Sequence, residues 1–490
     1  MAYKGKLGQA EVAVKSARNN LPCPLRVHSH WDSGTPARLP TYPDVFTRVC
    51  SRWRRIALAS HTLWSHIDIR LSCNLSKGFH ARAETYVARA HQAPLEIHFI
   101  DSSCIVKIER SEEYDDDFEE ESFDGWFKWE REVRYYNPEV FAFLAATPRP
   151  RIRSLGLLVF EEYHAIHSRA LEHCLANCFP GILSELVIDV PERIPHHPFF
   201  QTSLDPQHRD DVSSTRFLSL SEQQLEDVWR STTTLFLRSK SPRWSSAAYH
   251  GLIDLRLFGR QEISELELTD ILTSSPGLRI LRCNFDVHGS TPLSDLVPSV
   301  VLQELEVLNL EGMNKVNTEC FLGWLKPGLK PLRLSLSGDS TLALLDDFYA
   351  RSNVQEMRVK AEHQYFDEHL LPFALLSLPP QLRTLVMVDR GQGISYRIET
   401  TYTSPPIKLD TLYMLSCRYD KFSELGDMVA KYSPRRLVLW ECSIGHPYQG
   451  SSKIDMRFLE SAPGNTLRQF CVSIECPTDW NYSSFLDWDS

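Results

Sequence analysis

The sequence predicts an α/β chain built as an array of stacked strand-and-return units. Three observations predict it: an apolar register that recurs through the second half, a near-constant step between its copies, and great length. The register is Leu252-Ile253-Asp254-Leu255-Arg256-Leu257, and it returns around Leu281, Leu308, Leu332, Met357, Leu385, Leu412 and Leu437. Those anchor positions are separated by 26, 27, 24, 25, 28, 27 and 25 residues. At 490 residues with 42% hydrophobic side chains, the chain can bury a large core but is long for a single compact one.

A fixed period in the twenties with an L-x-x-L-x-L core is the pattern of leucine-rich repeats. Each unit supplies one short strand with alternating apolar side chains, and a returning segment brings the chain back. One unit cannot bury its apolar face alone, so neighbours must stack. The expected architecture is therefore a leucine-rich-repeat-like horseshoe solenoid over residues 151–476. The competing reading is an ordinary α/β sheet whose strands happen to be evenly spaced. Cys417 and Cys442 each fall five residues after an anchor leucine, where leucine-rich repeats place Asn or Cys to satisfy backbone groups at the turn.

The N-terminal part is different. Residues 1–43 carry Pro22, Pro24, Pro36, Pro40 and Pro43, which break any long helix, so irregular structure is expected. Residues 44–70 read as a helical segment. Asp44 can cap a helix whose stripe is Val45, Val49, Trp53 and Ile56, spaced four, four and three. Ser60 can cap a second short turn carrying Leu63 and Trp64, and Ile67 and Ile69 then alternate as in a strand. A helix over 79–91, strands over 94–100, 152–160, 186–190 and 235–237, and a helix over 161–179 follow. Residues 71–150 form the first irregular units, and 477–490 a C-terminal tail.

Net charge is −10, and the run 109–124 holds ten acids against Arg110. That insertion accounts for −9, so the remainder is nearly neutral and no nucleic-acid surface is expected. Its plain reading is a solvated, self-repelling loop; its sharper one is a docking strip for a basic partner. It ends in an aromatic patch, Phe123, Trp126, Phe127, Trp129, Tyr135 and Tyr136. No apolar stretch reads as a signal peptide or a membrane span. The 12 cysteines lack paired spacing, which suits free thiols in a reducing compartment, cytoplasmic or nuclear. The sequons at Asn74 and Asn481 carry no weight without secretion.

No catalytic signature stands out. There is no phosphate-binding loop ending in Lys-Ser or Lys-Thr, no H-E-x-x-H and no G-x-S-x-G, and Gly391-Gln392-Gly393 lacks its third glycine. His167, Cys174 and Cys178 share one helical face, with His164 a turn earlier. Leu171 and Leu175 accompany them, so buried apolar packing is the favoured reading and zinc the minor one. His196 and His197 are weaker still. The expectation is a non-enzyme with no cofactor and no resident metal.

Val49-Cys50, Trp53, Ile56-Ala57 and Leu63-Trp64 match the pattern V-C-x-x-W…A…LW. On these residues the stretch resembles the C-terminal half of an F-box. Its continuation, His66-Ile67-Asp68-Ile69 and the segments Ala83–Ala90 and Pro94–Asp101, is similar to the F-box-like proteins of basidiomycete fungi. The resemblance implies a substrate receptor of a Skp–cullin–F-box ubiquitin ligase that does no chemistry itself. Val45, Val49, Trp53, Ile56, Leu63 and Trp64 would then meet the adaptor, and the chain would be monomeric outside the complex. The family's opening L-P-x-E helix is not matched at Leu21-Pro22 or Leu39-Pro40. An interaction scaffold that does not engage the ligase is therefore the alternative expectation. An unknown target protein would be gripped by the strand positions between the inward leucines: Arg256, Arg282, Asn309, Arg333, Arg358 and Tyr413. Their arginines suit an acidic target surface.

Overall fold

The computed structural model describes residues 47, 50–71, 76–101, 150–160, 163, 165–191, 199–200, 218, 220–288, 299–337, 342–360, 378–388, 408–419, 421–445, 452–460 and 462–477. The chain divides into two compact units, residues 1–250 and 251–490.

In the first unit, helix α1 (Ser51–Ala59) and a 3-10 turn (His61–Trp64) lead into strand β1 (His66–Arg70). Helix α2 (Ser76–Ala90), β2 (Leu95–Asp101), β3 (Ile152–Val159), α3 (Ala165–Asn177), β4 (Glu185–Asp189), α4 (Glu222–Trp229) and β5 (Thr234–Arg238) follow. The five strands pair in chain order, all parallel. Parallel neighbours need a crossover, and α2, α3 and α4 supply three of them. Ser221 starts α4 by accepting from the Gln224 backbone N–H while the Gln224 side chain accepts from the Ser221 N–H, a reciprocal cap.

The second unit repeats the plan. It contains β6 (Asp254–Ser264), α5 (Glu265–Thr273), β7 (Ile280–His288), β8 (Val300–Leu302), β9 (Val307–Leu310), α6 (Lys315–Trp324) and β10 (Leu325–Pro327). Next come β11 (Leu332–Ser337), α7 (Leu342–Ala350), β12 (Val354–Lys360), β13 (Thr384–Val388) and β14 (Thr411–Leu415). The unit closes with β15 (Arg418–Tyr419), α8 (Phe422–Tyr432), β16 (Arg436–Trp440), β17 (Ser443–Ile444), β18 (Ser452–Lys453), α9 (Met456–Glu460), α10 (Ala462–Leu467) and β19 (Ser473–Glu475). Strands β6, β7, β9, β11, β12, β13, β14, β16 and β19 belong to the main sheet; β8–β10 and β15–β17–β18 form small separate ones.

These findings correct the expected architecture. The α/β class is right, but the described residues form a parallel sheet of 14 strands with crossover helices where a horseshoe solenoid was expected. Two physical reasons explain the misreading. First, the period counts what any evenly connected parallel sheet contains: a short strand, one crossover helix of 9 to 11 residues and two loops. Second, a repeat array leaves alternate strand positions open on one face, whereas β13, β14 and β16 are covered on both. Val386, Tyr413 and Val438 lie between inward residues yet are 0%, 7% and 0% exposed. Strands buried on both faces are the mark of parallel α/β sheets.

The inward face is as the sequence implies. Leu255, Leu281, Leu308, Met357, Leu385, Leu412 and Leu437 are all buried. One anchor is misplaced by two residues. Leu334, not Leu332, pairs with Leu308 and Met357. Arg333 therefore sits one row away from the column predicted for it, and Ser335 takes that place between Asn309 and Arg358. The two turn cysteines behave as expected. The Cys417 thiol donates to the Met387 carbonyl at 3.6 Å and the Cys442 thiol to the Met414 carbonyl at 3.2 Å. Nine cysteines among the described residues are free thiols. No helix of the described residues is long and apolar enough to cross a membrane.

Candidate functional site

Two places in the first unit and one in the second carry the functional candidates. The N-terminal segment is built around Trp64. Its indole N–H donates to the Ala57 carbonyl at 2.7 Å, tying the turn back to α1. Tyr86 packs edge-on against it at 5.1 Å, and the Arg89 guanidinium lies 4.3 Å from the ring centroid. His61 donates from Nδ1 to the Arg89 carbonyl at 2.9 Å, so the turn is held to α2 from both ends. Leu63 and Trp64 are thus core residues rather than contact residues. Trp53 and Ile56 are half-buried, while Arg52, Arg54, Arg55 and Leu58 face solvent. Val45 and Val49 lie outside the described residues.

The second place is the outward face of β1 and β2. On β1, His66 and Asp68 alternate with the core residues Ile67 and Ile69; on β2, Glu96 and His98 alternate with Ile97 and Phe99. Register sets His66 beside Glu96 and Asp68 beside His98. Asp68 Oδ1 lies 3.2 Å from His66 Nε2 and 3.1 Å from His98 Nδ1. The other nitrogen of His66, Nδ1, is 3.3 Å from Glu96 Oε2, and Arg153 bonds Glu96 from the far side. The His66 and His98 rings meet at 4.7 Å and 65°. Burial alone would lower the His66 pKa, but the hydrogen bonds and charges of Asp68 and Glu96 outweigh it and raise it to about 9. Burial would raise the Asp68 carboxyl, yet the two histidines hold it well below the usual carboxylate range.

Farther along β2, Asp101 accepts from His167 Nε2 on α3 at 2.9 Å. His167 therefore faces a carboxylate on the sheet. Burial pushes the Cys178 thiol up to about 11 and that of Cys174 well above its ordinary value, which leaves both protonated. The predicted packing of these cysteines is what the structure shows. His164, His196, His197, Gly391 to Gly393, the acidic run 109–124 and the aromatic patch after it lie outside the described residues.

In the second unit, the predicted target column is mostly covered. Arg282 and Arg358 are 3% and 5% exposed, and Tyr413 is buried. Arg358 lies 3.0 Å from Glu311, and Asn309 accepts from the Glu311 N–H at 2.9 Å. Arg256 is half-buried and paired with Asp254 at 2.8 Å, and Arg333 is half-buried beside Glu356 at 3.1 Å. The sequence placed this column facing outward, and it does leave the inward face. Of its members Arg282, Arg358 and Tyr413 are buried there, and Tyr413 belongs to a second apolar cluster with Val386, Val388, Leu415 and Val438, against which Trp440 packs.

Comparison of the chain with protein-family models and with curated proteins returns no match. The functional reading therefore rests on the residues themselves. The His66–Asp68–His98 cluster is the feature that sequence reasoning missed. Its only local signal is the pair of alternations His-x-Asp and Glu-x-His on successive strands.

Proposed function

We propose that this chain is a non-catalytic receptor that joins a Skp-type adaptor of a cullin ubiquitin ligase through its N-terminal helical segment. The rest of the chain holds a target protein. Its contribution is proximity: a target bound beside a ubiquitin-charged enzyme meets it at high effective concentration. One observation carries the reading beyond the sequence resemblance. Trp64 ties α1 to the turn that leads into β1 while the helix keeps Arg52, Arg54, Arg55 and Leu58 exposed, so an anchored helix presents an apolar residue with Arg54 and Arg55 one turn before it. Such a patch suits an acidic partner.

The test is direct binding between the purified full-length chain and a recombinant Skp-type adaptor. A one-to-one complex at micromolar concentration is expected, weakened about tenfold or more by Leu58→Asp or Arg55→Glu. Arg256→Glu, in the other unit, should leave it unchanged. A folded chain that ignores the adaptor at that concentration overturns the proposal. The reading left standing is then an interaction scaffold outside the ligase, which the unmatched opening motif of the F-box pattern favours.

A further inference from the structure

We infer that His66, Asp68 and His98 form a binding site for a divalent transition metal ion of the zinc type, with Glu96 as its orienting partner. Nothing in the adaptor reading requires it, and its test is independent of that reading.

The donor set is the first argument. Two imidazoles and one carboxylate are ligands that zinc and its first-row neighbours accept, and three protein ligands leave a further coordination position open. Among the described residues these three form the one group of histidine, cysteine and acidic side chains whose ligand atoms all lie within 4.8 Å of one another. The spacing fits. Atoms bound tetrahedrally at ~2.0–2.1 Å stand about 3.3 Å apart. The contacts of Asp68 with the two imidazoles are 3.2 and 3.1 Å.

The second argument is an orphaned acceptor. Asp68 is 3% exposed, and its Oδ2 is buried without a hydrogen-bond partner among the described residues. A buried carboxylate oxygen left unpaired is costly, and a cation that Asp68 grips through both of its oxygens satisfies it. Ser154, which register sets beside Glu96 on β3, also has a buried hydroxyl without a partner. Gly156 follows two residues later, opposite His98, and places no side chain over it.

The third argument is the surround. A metal-bound histidine usually gives its second nitrogen to a carboxylate, which fixes the ring and the tautomer. His66 has this arrangement: Nδ1 faces Glu96 while Nε2 faces Asp68. Arg153 in turn holds Glu96 in place. The nitrogens that face Asp68 must be unprotonated when the metal binds, so protons are released on loading. His66 is the least buried ligand and marks the way in: its side chain is 11% exposed against 1% for Asp68 and 4% for His98.

The experiment uses the full-length chain stripped with a chelator and titrated at mildly alkaline pH with Zn2+ by calorimetry and with Co2+ by visible absorption. Expected is one high-affinity equivalent, micromolar or tighter, with cobalt d–d bands of a low-coordinate nitrogen–oxygen site. His66→Gln and His98→Gln should each weaken binding by about 100-fold or more, and Glu96→Gln by on the order of 10-fold. His66 lies on a terminal strand and is only partly buried, so its variant is the one chosen to remain folded, checked by circular dichroism. Zinc absorption-edge fine structure on the unmodified chain needs no variant. A shell of nitrogen and oxygen containing two imidazoles supports the site, and sulfur in the shell contradicts it. Absence of micromolar binding, or binding untouched by His66→Gln in folded protein, also overturns the inference.

Discussion

Trp64 sets the strength of the N-terminal anchor. It is fully buried, hydrogen-bonded to the Ala57 carbonyl and covered by Arg89 and Tyr86. Truncating it removes a large packed side chain and leaves a cavity. Trp64→Ala should destabilise the first unit by about 3–5 kcal/mol, and loss of hydrogen-exchange protection in β1 would reveal it. Thiol chemistry tests burial residue by residue. Cys50 is exposed, while Cys174, Cys283, Cys417 and Cys442 are buried. A disulfide reagent should label Cys50 rapidly in the native state and reach those four only after unfolding. At this scale the sequence placed Leu63 and Trp64 among the adaptor contacts, and the structure buries both, because a short turn leading into a strand turns two large apolar neighbours into the core. The cluster of His66, Asp68 and His98 was not legible. Alternating polar residues on a strand read as a solvated face, and the partner lies 30 residues away in the chain.

Two of the second unit's elements make testable electrostatic claims. Arg358 on β12 and Glu311, just after β9, face each other at 3.0 Å with side chains only 6% and 14% exposed. Removing one partner strands a buried charge. Arg358→Ala should cost about 3–5 kcal/mol, and the double variant with Glu311→Gln should cost less than the sum, as a double-mutant cycle of urea unfolding would show. At the start of β9, Glu306 accepts hydrogen bonds from Arg279 and Lys330, which hold its carboxyl down to about 2. Because the folded value is depressed, this stabilisation is present above the ordinary value of 4.5 and is lost as pH falls toward 2. The side chain is 31% exposed and its partners are more so, so solvent screening keeps the effect small. Glu306→Gln should flatten the acid limb of stability between neutral pH and pH about 3, measured as urea midpoints. Element order along the chain was readable from apolar alternation and spacing. Register was less so. Leu332, Leu334 and Leu336 form one unbroken alternation, and any of the three satisfies a local pattern; only pairing with Leu308 and Met357 selects Leu334.

For the whole molecule, even spacing reported the connectivity correctly and the architecture wrongly. Sequential parallel strands joined by single helices have a period, but a period does not say whether the second face of the sheet is open. That information was present in Val386, Val388, Val438 and Leu415, apolar residues at positions a repeat array would leave wet. The functional account depends on one anchored helix acting as the contact with the adaptor. Hydrogen exchange of the full-length chain, with and without a Skp-type adaptor, tests this most directly. The account predicts new protection concentrated in residues 50–65, with little change across β6 to β16. Protection confined to the second unit, or none anywhere while the chain remains folded, would contradict it.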